Sequence, residues 1–148
     1  MNLIGWSQNM TPEAAKAAGA ILVSRDQLFE RADILTIHVV LSSRTRGLVG
    51  AAELERMKPT ALLINASRGP IVDEEALIGV LKNKRIAGAA IDVFDTEPLP
   101  PSHPFRKLDN VLATPHLGYV SHGLYKTFYE DTVSNIRKWL DTHSAPVA

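Results

Sequence analysis

Three side chains suited to acid–base chemistry follow apolar segments of this chain. Arg68 lies in Asn-Ala-Ser-Arg-Gly-Pro, Glu97 in Asp-Val-Phe-Asp-Thr-Glu-Pro, and His116 in Thr-Pro-His-Leu-Gly. A guanidinium can hold a carboxylate through two hydrogen bonds, and an imidazole can exchange a proton near neutral pH. A nearby carboxylate can orient that imidazole and favour its charged form. Together the three predict a site that holds an anion and moves a proton.

Each of these residues also has an ordinary structural interpretation when it is taken singly. A lone arginine is usually a surface residue, a lone histidine usually satisfies a turn, and a glutamate before proline is usually a solvated loop residue. The joint presence of all three favours function. We assign the structural interpretation to the other histidines, His38, His103, His122 and His143.

Alternating strand-like and helix-like segments predict an α/β fold with a doubly wound parallel sheet. The expected strands are residues 3–6, 20–23, 33–40, 61–64, 87–91 and 111–113. The expected helices are residues 12–18, 26–31, 51–57, a segment capped by Asp73, and an amphipathic helix over residues 121–140. Segment 33–40 lacks polar alternation, which predicts burial on both faces. Ligands of such sheets bind at the carboxyl ends of the strands, where the three side chains would meet.

Composition narrows the class of protein. The chain has 148 residues, enough for one domain, and its 16 basic and 16 acidic side chains cancel. This balance gives no charge-based reason to expect nucleic acid or an anionic membrane as a partner. Cysteine is absent, which excludes disulfides and thiolate metal sites, and we expect no metal centre. No apolar run is long enough to span a bilayer, so the expected location is the cytoplasm.

Three ordered motifs carry a resemblance to a known family. Asn-Ala-Ser-Arg-Gly-Pro-Ile-Val-Asp-Glu-Glu-Ala-Leu begins at Asn65, Gly-Ala-Ala-Ile-Asp-Val-Phe-Asp-Thr-Glu-Pro begins at Gly88, and Thr-Pro-His-Leu-Gly begins at Thr114. Their order and spacing resemble the D-isomer-specific 2-hydroxyacid dehydrogenases. The resemblance extends over essentially the whole chain and implies a Rossmann-type domain that binds NAD.

The resemblance implies a role for each matching residue. Arg68 would anchor the substrate acid, His116 would act as general acid and base, and Glu97 would orient His116. Asp92 matches an aspartate that binds the nicotinamide carboxamide. Arg68 and His116 are also expected to contact the cofactor. The remaining cofactor-binding positions are carried over less directly from the family: His38, Leu41, Thr45, Ala66, Ser67 and Gly118.

The chain departs from the family pattern in two respects. No Gly-x-Gly-x-x-Gly phosphate loop occurs in the sequence, and the strand end Trp6-Ser7-Gln8-Asn9 has no acid to bind the ribose diol. The family resemblance makes NAD the expected cofactor, and the missing acid weakens the selectivity for it, so NADP is not excluded. We interpret residues 1–148 as a partial dinucleotide-binding domain that lacks the first βα unit and the substrate domain.

These features predict an oxidoreductase that transfers a hydride between NAD(P) and a D-2-hydroxy or 2-oxo acid. A catalytically silent module that binds NAD or another protein is an open alternative, and so is a remnant without activity. A missing βα unit would expose a central strand edge, and such edges pair with other chains. We therefore expect the chain to form homo-oligomers.

Overall fold

The computed structural model describes residues 1–143, which divide into two compact units, Met1–His116 and a second unit that starts at Leu117. The first unit alternates strands and helices as the sequence predicts. Its elements are β1 (Ile4–Gly5), α1 (Pro12–Ala17), β2 (Ile21–Leu22), α2 (Arg25–Arg31), β3 (Ile34–Ile37), α3 (Ala51–Arg56), β4 (Leu62–Asn65), α4 (Glu74–Lys82), β5 (Gly88–Ile91) and β6 (Val111–Ala113). Short 3₁₀ helices occupy Gly69–Ile71 and Pro104–Arg106.

All strand pairs are parallel, but the strands belong to two sheets. One sheet pairs β1 with β2, and the other has the order β3-β4-β5-β6. The register of the larger sheet aligns Ile37 with Asn65 and Asn65 with Ile91. Consequently the loops after β3, β4, β5 and β6 leave from the same edge of this sheet.

Local sequence signals start the helices of this unit. The Thr11 hydroxyl accepts the Ala14 N–H, and proline stands at the first position of α1. Ser24 and Gln27 form a reciprocal capping box at α2, so this helix begins at Arg25 and not at the expected residue 26. The Asp73 carboxylate caps α4 by accepting the Ala76 N–H, as expected.

One face of the larger sheet carries the hydrophobic core. Buried side chains of the strands pack in one cluster with buried side chains of the helices, and α3 contacts both α2 and α4. The fully buried members of this cluster include Leu54 of α3, Leu63 of β4 and Leu81 of α4.

The expectation that segment 33–40 is buried on both faces is wrong. Leu35 and Ile37 are buried, whereas Ile34 is 55% exposed and Thr36 is also exposed. Because β3 pairs only with β4 among the described residues, and α2–α4 pack on the face of Leu35 and Ile37, the opposite face lacks a covering layer within this unit. A run of apolar residues shows that a strand can be buried on both faces, but burial also needs a layer packed against each face, and within this unit only one face has such a layer.

The second unit contains α5, residues His122–His143. This helix begins one residue later and extends three residues further than the expected 121–140. The apolar side that the sequence predicts for it is present but exposed; its members are Leu124, Phe128, Val133, Ile136 and Leu140. Along residues 1–143, no helix is long and apolar enough to cross a membrane.

Candidate active site

The loops after β4, β5 and β6 carry the residues that the sequence singled out. Arg68 lies three positions after the end of β4, and Asp92 follows the last residue of β5 directly. Glu97 belongs to the same loop as Asp92, and His116 follows β6 by three positions. Parallel pairing therefore gathers residues from three distant parts of the sequence at one edge of the sheet.

A buried amide shapes the loop that presents Arg68. Asn65 is 1% exposed; its Nδ2 donates to the Arg68 carbonyl oxygen at 3.0 Å, and its Oδ1 accepts the Ser67 N–H at 3.1 Å. The Ser67 hydroxyl donates to the Val39 carbonyl oxygen at 2.6 Å, which ties this loop to the segment after β3. The guanidinium of Arg68 remains exposed, with Nη1 donating to the Ser67 carbonyl oxygen at 2.6 Å.

Gly69 joins the Arg68 loop to the Glu97 loop. A Cβ at Gly69 would overlap the carbonyl group of Phe94 and would lie 2.6 Å from the Asp95 nitrogen. Only a residue without a side chain allows the two backbones to approach so closely. The glycine thus sets the separation between the segment that carries Arg68 and the segment that carries Glu97.

Both oxygens of the Glu97 carboxylate are engaged. Oε1 accepts the Phe94 N–H at 2.9 Å, and Oε2 lies 2.8 Å from Nδ1 of His116. Partial burial works to raise the pKa of Glu97, but the hydrogen bonds from His116 and Phe94 and the positive charges of His116 and Arg68 hold this pKa below its usual value. The carboxylate is therefore ionised at neutral pH. The Glu97–Pro98 peptide bond is cis.

The backbone around His116 is unusual for a residue with a side chain. Its φ is 57°, in the left-handed region, and its N–H donates to the Thr114 carbonyl oxygen at 3.0 Å around Pro115. Non-glycine residues in this conformation are concentrated at functional sites. Since Glu97 faces Nδ1, this nitrogen carries a proton and the tautomer of the ring is set.

Asp92 is a buried carboxylate at the same sheet edge. It is 8% exposed, and the Thr114 hydroxyl donates to its Oδ1 at 2.5 Å. A buried polar side chain of this kind needs hydrogen-bond partners. The pair fixes an acceptor between the ends of β5 and β6, and this arrangement fits an amide donor such as the carboxamide expected for Asp92.

The segment after β3 is organised by Thr45. Its hydroxyl accepts the Ser42 N–H at 2.8 Å and donates to the Val40 carbonyl oxygen at 2.7 Å, so Thr45 shapes this loop from within. Nε2 of His38 lies 3.0 Å from the Thr36 hydroxyl, and Leu41 packs against the hydrophobic core. Cofactor binding by these residues stays a prediction.

The other expected positions divide between the two units. Ala66 is exposed beside half-buried Ser67 in the Arg68 loop. Gly118 belongs to the second unit, which is described separately. Across residues 1–143, no three His, Asp or Glu side chains are grouped in a way that could hold a metal ion.

Three residues organise the site in ways that the sequence motifs alone did not reveal: Asn65 and Thr114, which begin two of the motifs, and Gly69, which follows Arg68. Asn65 and Thr114 each stand where an apolar strand gives way to a loop, which is a usable signal, because a polar group in that position needs a partner. The role of Gly69 has no sequence signal beyond the glycine itself, since the peptide it contacts is about 25 residues further along the chain.

Relatives of similar sequence carry the names of dehydrogenases and reductases. The glyoxylate reductase of Korarchaeum cryptofilum is 38% identical over 136 residues, covering 92% of this chain and 41% of that protein. The D-3-phosphoglycerate dehydrogenase of Synechocystis sp. is 41% identical over 137 residues, covering 93% of this chain and 24% of that protein. The chain thus spans less than half the length of these relatives.

Solved structures give the same result. The phosphoglycerate oxidoreductase of Vibrio cholerae O395 matches with a TM-score of 0.87 and 35% identity over 98% of this chain and 46% of that chain. The NAD-complexed 2-hydroxyacid dehydrogenase of Lactobacillus delbrueckii ssp. bulgaricus matches with a TM-score of 0.71 and 29% identity, over 81% of this chain and 40% of that chain. A Xanthobacter autotrophicus Py2 enzyme in complex with NADPH and MES matches with a TM-score of 0.60 and 43% identity, over 62% and 30%.

The family assignment follows from the matched residues and the fold together. Residues 1–118 match the family described as D-isomer specific 2-hydroxyacid dehydrogenase, NAD binding domain. The parallel sheet and its flanking helices are those of the Rossmann-type neighbours. The chain belongs to the D-isomer-specific 2-hydroxyacid dehydrogenase family, through the NAD-binding domain of that family.

Proposed function

We propose that this chain carries the acid–base half of a dehydrogenase site that converts a small 2-oxo acid into a D-2-hydroxy acid, and the reverse, with NAD(P). The contact between His116 Nδ1 and Glu97 Oε2, at 2.8 Å, is the observation that carries the proposal. A histidine oriented by an ionised carboxylate is suited to donate a proton and to take it back. Arg68, on the loop joined to the Glu97 loop by Gly69, supplies the anion holder.

Each residue has a defined part in the proposed reaction. Arg68 holds the substrate carboxylate through its guanidinium fork. In the reductive direction Nε2 of His116 donates a proton to the carbonyl oxygen, and Glu97 stabilises the imidazolium before the transfer. In the oxidative direction the same nitrogen accepts the hydroxyl proton. The cofactor, when bound, supplies or accepts the hydride at the adjacent carbon.

Residues of this chain are suited to bind the nicotinamide end of that cofactor. Asp92 and its Thr114 partner would receive the carboxamide, and the segments of Ala66 and Ser67 and of His38 to Thr45 would lie along the cofactor. The sequence has no Gly-x-Gly-x-x-Gly to cradle the phosphates. We therefore propose residues 1–148 as a partial dinucleotide-binding domain, and NAD as its cofactor with NADP not excluded, because no acid ends the segment Trp6 to Asn9.

The substrate class follows from the chemistry and the relatives. Glyoxylate and 3-phosphoglycerate, named in the relatives, are both small acids of the kind that Arg68 would hold. We propose a small 2-oxo or 2-hydroxy acid without choosing between them. Homo-oligomer formation and a cytoplasmic location are part of the proposal, with no nucleic acid or membrane as a partner.

Tryptophan fluorescence tests cofactor binding directly, since Trp6 directly follows β1. Titration of the 148-residue chain with NADH and with NADPH is expected to change the fluorescence saturably. Asp92→Asn keeps the shape and the Thr114 contact but removes the charge, and should weaken binding by about tenfold, the equivalent of about 1.4 kcal/mol. Lys84→Ala, in an exposed pair with Asp109 after α4, is the control and should bind as the parent does.

Activity separates the dehydrogenase from the alternative. NADH oxidation with glyoxylate that is lost in His116→Ala supports the proposal. Cofactor binding without turnover of any 2-oxo acid would leave the silent NAD-binding or protein-interaction module as the better function. Failure of both cofactors to bind at about millimolar concentration, where even weak sites fill, would contradict the proposal for this chain.

A further inference from the structure

A second histidine–carboxylate pair lies on the far side of the Glu97 loop. Nε2 of His103 is 3.0 Å from Oε1 of Glu74, and the Glu74 Oε2 accepts the Asp95 N–H at 3.4 Å. The side chains of His103 and Glu74 are 14% and 22% exposed, against 36% for each member of the His116–Glu97 pair. The second pair is thus the more shielded of the two, and electrostatic attraction is stronger where water is excluded.

The tautomer of His103 is set by its own backbone contacts. Nδ1 accepts the Phe105 N–H at 3.3 Å, which leaves the proton on Nε2, facing Glu74. The ring also packs against Phe105, with the centroids 5.0 Å apart, and Phe105 is 3% exposed. His103 therefore occupies one fixed orientation at the end of the loop.

Glu74 meets this loop from a helix. It is the first residue of α4, where the helix dipole favours a negative charge. Its acidic neighbours are Asp73 and Asp95. Burial, and after it the negative charge of Glu74, raise the pKa of Asp95, whereas the positive charge of Arg46 works to lower it. Among these acids His103 supplies a proton donor, which keeps the loop attached to the helix.

The loop of residues 92–103 is therefore attached to α4 through Glu74 at two points, the Asp95 N–H and the His103 side chain. The Phe94 N–H binds Glu97, the next N–H, of Asp95, binds Glu74, and Gly69 packs beneath the peptide between them. We propose that Glu74 and His103 are positioning residues: they fix the loop of residues 92–103 against the first turn of α4 and so place Glu97 opposite His116. This inference rests on the proposed function for the catalytic role of Glu97. What it predicts directly is the pKa of Glu97 in the protein without substrate.

A matched pair of substitutions at His103 separates positioning from bulk stability. In His103→Asn the side-chain oxygen takes the place of Nδ1 and keeps the Phe105 N–H contact, but nothing reaches Glu74. In His103→Gln the longer amide reaches Glu74 and donates to it. Glu74→Gln, an isosteric change, keeps the acceptor for His103 and replaces the acceptor for the Asp95 N–H with a donor.

The readout is the titration of the Glu97 carboxyl carbon by ¹³C NMR in the 148-residue chain, with thermal unfolding measured alongside. The pKa of Glu97 is expected to rise towards its ordinary value in His103→Asn and in Glu74→Gln, because its hydrogen bonds loosen, and to stay at the parent value in His103→Gln. Lys84→Ala, which removes an exposed pair at the other end of α4, should leave the titration unchanged.

Two results would overturn the proposal. One is a folded His103→Asn or Glu74→Gln protein whose Glu97 titrates as in the parent. The other is loss of the fold in both variants while Lys84→Ala folds, since the pair would then be a general determinant of stability. Neither readout involves turnover, so the dehydrogenase proposal can fail while this one stands, and the reverse.

Discussion

At the scale of single residues, two side chains of the site, those of Glu97 and Asn65, use both of their polar atoms in hydrogen bonds. Glu97 uses both carboxylate oxygens, one for the Phe94 N–H and one for His116, so it cannot rotate without losing a partner. Asn65 likewise uses both ends of its amide to hold the Arg68 loop. Polar contacts within the resting protein thus hold Glu97 and the Arg68 loop in place, as the proposed acid–base role needs.

The lowered pKa of Glu97 makes a prediction about stability and pH. A carboxylate whose pKa is lower in the folded chain than in the unfolded chain stabilises the fold above its ordinary pKa, and this stabilisation is lost as the pH falls. We expect the parent to unfold at a higher temperature than Glu97→Gln at neutral pH. The difference should decrease once the pH falls below the ordinary glutamate value of 4.5 and vanish at lower pH.

Unfolding temperatures of both proteins, measured across that pH range, check this prediction. Glu55→Gln, at an exposed glutamate of α3, is the matched control for the loss of one negative charge. A difference between parent and Glu97→Gln that is the same at neutral and acidic pH would contradict the explanation.

At the scale of elements, the parallel strands and Gly69 decide how the loops meet. β4, β5 and β6 end at one sheet edge, and Gly69 allows the loop after β4 to lie directly on the loop after β5. The sheet brings the loops to the same edge, and the glycine sets their final separation. Arg68 and Glu97 are consequently coupled through backbone, and not only through charge.

Gly69→Ala tests this coupling. The new methyl group would overlap the Phe94 carbonyl, and backbone cannot move aside as a flexible side chain can, so we expect a loss of about 1–3 kcal/mol in the free energy of unfolding. Gly79→Ala is the control, because it lies inside α4 with nothing within 4 Å of its new methyl group. This change should stabilise the chain by about 0.5–1 kcal/mol, as alanine favours helix.

Urea unfolding of the two variants gives both values. If Gly69→Ala is as stable as the parent, the close approach of the two loops is not required, and the account of the site at this scale is wrong. A second expected effect is a displaced Phe94 amide signal in Gly69→Ala, with no such displacement in Gly79→Ala.

At the scale of the whole molecule, strand edges are the notable feature of the first unit. β3 and β6 end the larger sheet, and both edges carry large apolar side chains: Ile34 is 55% exposed and Leu112 is 66% exposed. In the six-stranded order 3-2-1-4-5-6 of dinucleotide-binding sheets, β2 and β1 correspond to strands 3 and 2, and β3 to strand 4. In that order strand 1 stands between strands 2 and 4; among residues 1–143, β1 pairs only with β2, and β3 pairs only with β4.

We expect the chain to associate with itself through the β3 edge, because the side of β3 that does not pair with β4 offers a row of backbone donors and acceptors. Light scattering after size exclusion, at a concentration of about 10 µM or above, should give a mass above that of one chain, since weak contacts between chains reach micromolar affinity. Ile34→Lys, which places a charge on that edge, should lower this mass. Leu62→Lys, at an exposed position of the internal strand β4, is the matched control and should leave the mass unchanged. A well-folded monomer in the parent protein would dismiss the prediction.

The sequence by itself determined the family, the alternation of strands and helices, and the identity of Arg68, Glu97 and His116 as candidate residues. These follow from local order along the chain, because motifs, caps and apolar runs are read within a few residues. The observed bounds of α2 and α5 differ from the expected ones by one to three residues, because the exact end of a helix is set by individual hydrogen bonds, such as those of the Ser24–Gln27 box.

Only the tertiary structure decided which residues from distant parts of the sequence are in contact. The exposure of one face of β3, the overlap of Gly69 with the Phe94 peptide, and the pairing of His103 with Glu74 join residues that are far apart in sequence. Local propensity contains no information on such pairs, since they form when sheet register and helix packing fix the distances. The sequence supplied the candidate groups, and the register of parallel strands placed Glu97 and His116 within a hydrogen bond of each other.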